Sequence, residues 1–99
     1  GGAPPPPLPS LPSGRFDRVI RLELPSPAER AAILALHLRR VHPDADVRPA
    51  VLSGLAEGFS GAELANVVNE AALRAVRHGR TVVQQADLEA SIHAYRASR

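Results

Sequence analysis

Four stretches of the chain carry apolar residues at helical spacing, and one short stretch alternates like a strand. Ser26-Pro-Ala-Glu29 is a helix start: Ser26 caps, Pro27 suits the first helical position and Glu29 closes a capping box. The helix is expected to run to about Arg40, with Ile33, Leu36, His37 and Val41 on one side and Leu34 and Leu38 broadening it. His42 to Asp46 reads as a turn. A short second helix over residues 48–57 turns Val51, Leu52 and Leu55 inward and stops at Gly58. Ser60-Gly-Ala-Glu63 repeats the capping-box spacing, and a third helix follows to about His78, ended by Gly79. Its stripe is Leu64, Val67, Val68, Ala71, Ala72 and Ala75, and its alanines let another helix approach closely. Thr81-Val82-Val83 is a short extended piece. A fourth helix from about Ala86 buries Leu88, Ile92 and Tyr95.

The segment before these helices has a different character. Phe16 to Leu24 reads FDRVIRLEL, in which Ile20, Leu22 and Leu24 alternate with Val19, Arg21 and Glu23. That is strand patterning with one apolar face, stopped by Leu24-Pro25. A lone strand is unstable, so it calls for a sheet that the rest of the chain does not supply. Residues 1–14 hold six of the ten prolines and favour polyproline II or disorder. They read as a flexible linker or tail, or as a ligand for an aromatic-lined groove. The expected fold class is therefore mainly α: a four-helix unit preceded by one strand and a Pro-rich flexible leader.

Composition narrows the function classes. Ninety-nine residues allow one small domain. The net charge is +2, and all twelve basic residues are Arg, spread along the chain without interleaved aromatics. No nucleic-acid partner is expected from that pattern. There is no Cys, and no run approaches the length of a membrane span. With no Met, even at position 1, a fragment or a processed or trimmed chain is expected.

Candidate chemistry is sparse. The phosphate loop GxxxxGK[ST] is absent, as are GxGxxG and any Lys. His37, His42, His78 and His93 form no HExxH, so no metal site is expected. His37, one turn after Ile33, is either a hydrogen-bonded, partly buried ring or a contact for a planar ligand. Gly61 and Ala62 put almost no side chain at a helix start, which serves either capping or close approach by a ligand. Arg15 is either a solvated charge or an anion contact.

Gly14-Arg-Phe-Asp-Arg18, Leu24-Pro-Ser-Pro-Ala-Glu-Arg30, Ile33-Leu-Ala-Leu-His37 and Gly58-Phe-Ser-Gly-Ala-Glu-Leu-Ala-Asn-Val-Val-Asn-Glu-Ala-Ala-Leu73 follow one another at the intervals of AAA ATPases. This set resembles the FtsH-type membrane-anchored, ATP-dependent metalloproteases most closely, from about Gly14 to Ile92. The resemblance implies three parts: a linker over 1–14, the end of the AAA core over 15–25, and a helical lid subdomain over 26–99. The strand would then belong to the central sheet of the core. Arg15 resembles an arginine finger that reaches the ATP of a neighbouring subunit. Ile33, His37, Gly61 and Ala62 match positions bordering adenine and ribose.

Implied cofactors are ATP or ADP with Mg, bound mostly outside this chain, and zinc only where a separate protease domain exists. Implied partners are the rest of the core, neighbouring subunits of a hexameric ring, and substrate proteins. The implied setting is proteolysis at a bacterial inner membrane or a chloroplast or mitochondrial membrane, through an anchor outside these residues.

The sequence departs from the family at Pro12, where the first arginine finger is usual, and at Ser13, where Pro is usual. Without Walker motifs the chain is not expected to hydrolyse ATP alone. The competing reading is a non-enzymatic interaction module built from the helices and the Pro-rich leader. A weaker one is a small basic DNA-associated domain.

Overall fold

Both capping boxes close in the computed structural model, which describes residues 23–99. At the first, Ser26 Oγ accepts from the Glu29 amide at 3.2 Å and Glu29 Oε1 accepts from the Ser26 amide at 2.8 Å. This starts α1, Pro27–Leu38. At the second, Ser60 Oγ accepts from the Glu63 amide at 3.1 Å and Glu63 Oε1 accepts from the Ser60 amide at 2.8 Å. This starts α3, Gly61–Arg77. Between them lies α2, Pro49–Leu55, and the last helix is α4, Gln85–Ala97. Each box satisfies backbone donors that a helix start leaves unpaired.

The stops are equally local. Gly58 has φ 85° and Gly79 has φ 75°, a region that L side chains rarely adopt. At Gly79 the chain reverses with Arg80 N–H on Ala75 O at 2.9 Å and Gly79 N–H on Val76 O at 2.9 Å. That pattern ties off the last carbonyls of α3.

Helix α3 packs against α4 and α1, α2 packs on α1, and α4 touches α2. The core holds Leu34 and Leu38 of α1, Leu52 of α2, Leu64, Val67, Val68, Ala71 and Ala75 of α3, and Leu88 and Ile92 of α4. Phe59, in the α2–α3 turn, is fully buried. Burying each large apolar side chain contributes roughly 1.5–3 kcal/mol, which offsets chain entropy in so small a unit.

Three expectations are corrected. The expected strand from the ATPase core is not present: among the described residues there is no strand. Glu23 and Leu24, the end of that expected strand, are irregular and exposed, and the rest of it lies outside the described residues. A strand needs ladder partners, and the four helices offer none. The nearest thing to extended pairing is an isolated parallel bridge between Pro43 and Val83. It is made by Val83 N–H to His42 O at 3.0 Å and Asp44 N–H to Val83 O at 2.7 Å. The Pro-rich leader over 1–14 also lies outside the described residues.

Second, α1 faces the core with Arg30, Leu34 and Leu38, whereas Leu36 is 58% exposed and Ile33 and His37 are half-buried. The helix is apolar around most of its circumference, so spacing alone does not choose the inner face. Third, Val51 is exposed rather than inward, while Leu52 is buried and Leu55 half-buried.

Arg30 adds a polar anchor to that inner face of α1. It is 5% exposed, and its guanidinium donates to Ser53 O at 2.9 Å and Pro25 O at 3.1 Å. Ser53 Oγ returns a bond to Pro27 O at 2.6 Å. These bonds occupy a late carbonyl of α2 and lock α1 to α2.

A second buried polar group holds the opposite end. Asp87 accepts from Arg80 Nη1 at 2.6 Å, Arg80 Nη2 at 2.8 Å and the Gln84 amide at 2.8 Å. The Arg80 contact, helped by the Gln84 amide, holds the Asp87 carboxyl below its usual value, against the opposing effect of burial. A depressed carboxylate stabilises the fold above its unfolded pKa of about 3.9. That contribution fades as pH falls through the lower folded value.

Candidate functional site

The N-terminus of α3 lies beside the outer flank of α1. Gly61 is the first residue of α3, so its N–H is among those a helix leaves unpaired. A Cβ built on Gly61 would stand 4.0 Å from Ile33 Cδ1 and meet nothing closer. Ile33 and Gly61 line one open groove with Glu23, Pro25, Glu29 and Ala32, of about 410 Å³. Packing therefore does not require a glycine at position 61, unlike Gly58 and Gly79, where positive φ does.

The other expected residues are placed as follows. Ala62 is exposed at the second position of α3, next to Gly61 but not on the groove wall. His37 is one turn beyond Ile33 and borders a separate open surface with Leu36, Arg39 and Arg40. Its Nδ1 lies 2.9 Å from Arg40 Nη2. Guanidinium only donates, so Nδ1 is the acceptor in this contact. Arg15 lies outside the described residues. Thus Ile33 and Gly61 share a groove, while His37 lines a separate surface and Ala62 lies exposed next to Gly61.

Two features of the site escaped sequence reading. Glu23 and Glu29 bring two acidic residues to the groove lining. The SxxE spacing announced Glu29 as a cap, but nothing in spacing brought it near Gly61. The turn before α3 is also braced from α4. Phe59 lies 5.6 Å, centroid to centroid, from the tilted ring of Tyr95. The guanidiniums of Arg96 and Arg99 each stand 4.9 Å from its centroid.

Two implications of the resemblance are corrected. A metalloprotease centre is not present: among the described residues no group of three or more His, Cys, Asp or Glu is placed to hold a metal ion. His37, His78 and His93 are instead distributed over α1, the end of α3 and α4. Nor do the described residues carry a membrane segment: no helix among them is long and apolar enough to cross a membrane.

Comparison with known proteins agrees with this architecture. Residues 46–96, from before α2 almost to the end of α4, match the AAA+ lid domain. The ATP-dependent zinc metalloprotease FtsH 1 of Salinibacter ruber is 47% identical over 79 residues, covering 80% of this chain and 12% of that protein. An FtsH of Acidimicrobium ferrooxidans is 50% identical over 80 residues, 79% of this chain and 12% of its own length. The proteasome-activating nucleotidase of Sulfurisphaera tokodaii is 40% identical over 84 residues, 85% of this chain and 21% of its own. The chain thus spans between an eighth and about a fifth of the length of these relatives. With four helices in this order and a match over more than half its length, this chain belongs to the AAA+ lid domain family, as a lid of the FtsH type.

Proposed function

We propose that the chain is the nucleotide-sensing lid of an AAA ATPase ring, covering the base and relaying nucleotide state to protein unfolding. Ile33 and Gly61 form the base-facing wall, with His37 and Ala62 at its borders. ATP or ADP and its Mg are held mainly by a core outside this chain. Arg15, in the segment 15–25 that joins the lid (26–99) to that core, acts on the ATP of the next subunit. The partners are the remainder of the core, neighbouring subunits of a hexameric ring, and the protein substrates that the ring engages.

The observation that supports this reading best is the side chain missing at Gly61 where the fold has room for one. A glycine here leaves open space beside Ile33, which suits close approach by a ligand. The groove chemistry agrees. An isoleucine wall suits the flat apolar face of a purine, and the Glu23 and Glu29 carboxylates repel phosphate, which favours the base end of a nucleotide. The interaction-module alternative draws on the Pro-rich leader, outside the described residues.

A Gly61→Leu variant tests the reading in a ring assembled with its ATPase core. The added side chain fits the fold, so the melting temperature should stay nearly unchanged. It fills the groove beside Ile33, so the KM for ATP should rise roughly tenfold, the equivalent of one lost apolar contact surface. An unaltered KM with an intact fold would remove Gly61 from the base site.

A further inference from the structure

The two arginines at the end of α4 are placed where ordinary packing does not need them. Arg96 and Arg99 are exposed, yet both turn a guanidinium onto the ring of Phe59 at 4.9 Å. Arg96 also donates through Nη2 to Leu55 O at 2.6 Å and Glu57 O at 3.1 Å, the carbonyls at the end of α2. Arg99 reaches Glu63 Oε2 at 3.2 Å. Glu63 in turn holds the Ser60 amide through Oε1 at 2.8 Å. Arg96 in the last turn of α4 and Arg99 just beyond it therefore grip the end of α2, the Phe59 ring and the cap of α3 together. Ser60, between the gripped ring and Gly61, is part of that cap.

We propose that Arg96 and Arg99 form a guanidinium clamp on Phe59 that couples the end of α4 to the Gly58–Ala62 turn and sets the aperture of the Ile33–Gly61 groove. The clamp's functional meaning rests on the base-facing reading of that groove. In it, Arg96 and Arg99 are positioning residues: they touch no nucleotide and act through Phe59 and Glu63. Any displacement of the end of α4 is passed to the cap of α3 through the stacked contacts on the buried Phe59 ring and the Arg99–Glu63 ion pair. Each exposed stacking contact is weak alone. Their effect should accordingly fall on local opening of the turn more than on global unfolding.

Amide hydrogen exchange on the nucleotide-free chain, followed residue by residue, tests this. In an Arg96→Ala/Arg99→Ala variant the amides of Phe59, Ser60, Glu63 and Leu64 should exchange about fivefold to twentyfold faster, the expectation for two lost cation–π contacts. The amides of Leu34, Leu38 and Val68 should keep their rates. The nuclear Overhauser contact between the Ile33 δ-methyl and the Gly61 α-protons should weaken in the same variant. An Arg96→Lys/Arg99→Lys variant keeps the charges but loses the planar stacking face, so exchange at the turn should remain fast.

Unchanged exchange at the turn, uniform acceleration in all four helices, or full recovery by the lysines would each overturn the clamp. Because this readout contains no nucleotide, its failure is separate from failure of the base site, which the KM of Gly61→Leu reports.

Discussion

Phe59→Ala should lower the melting temperature by about 15 °C or more, read by far-UV circular dichroism. Phe59 is the largest of the fully buried side chains, and it sits in a turn rather than in a helix. Its removal leaves a cavity where α2, α3 and α4 meet, costing roughly 3–5 kcal/mol. It also takes away the partner of the Tyr95 ring and the platform for Arg96 and Arg99.

A unit of this size has only about 5–10 kcal/mol of stability in all, and each kcal/mol shifts its melting point by about 4–8 °C. Phe59→Leu keeps most of the buried volume, so it should lose much less. A fall of under about 5 °C for the alanine variant would show that the turn collapses around the missing ring and that Phe59 does not anchor it.

The second large effect is catalytic. In a ring assembled with its ATPase core, Arg15→Ala should lower turnover about a thousandfold while leaving the KM for ATP nearly unchanged. The reason is electrostatic. A guanidinium from the neighbouring subunit offsets charge that develops on the transferred phosphoryl group, so it acts on the transition state more than on bound ATP. On the family resemblance Pro12 takes the place of the other finger, so no second guanidinium is expected to compensate there. Steady-state hydrolysis with the phosphate released as readout decides the matter. Turnover equal to that of the unaltered ring would take Arg15 out of the reaction, and a raised KM at constant turnover would make it a ground-state contact instead.

The local parts of the fold were legible in the sequence, and the reason is that their causes are local. Ser26 with Glu29 and Ser60 with Glu63 carry their own hydrogen-bond partners three residues away, and both boxes close in the structure. Gly58 and Gly79 end their segments through a backbone angle that only the residue itself decides.

What was not legible depends on residues far apart in the chain. The inner face of α1 carries Arg30, bonded to Ser53 O 23 residues away, which no helical period announces. The grip of Arg96 on Leu55 O spans 41 residues. Of the alternating FDRVIRLEL only Glu23 and Leu24 fall among the described residues, and they stay irregular because a strand is completed by neighbours that the helices do not supply.

The candidate site divides in the same way. The resemblance put Ile33, His37, Gly61 and Ala62 on one ligand. The structure sets Ile33 against Gly61 and leaves His37 on a neighbouring surface with Arg40. Helical spacing fixes that Ile33 and His37 share a flank of α1. Only the packing of α1 on α3 fixes which part of that flank meets Gly61. Glu23 and Glu29 come to the same groove through that packing.

The central claim is that adenine lies against the Ile33–Gly61 wall. Photolabelling of the ring, assembled with its ATPase core, by an azido-adenine nucleotide reads this contact directly, with peptide mapping of the attachment. Covalent label in the segment of α1 around Ile33 and His37, or at Gly61 and Ala62, competed away by excess ATP, is the result expected. Competable label found only in the core, with none on α1 or the start of α3, would contradict the account.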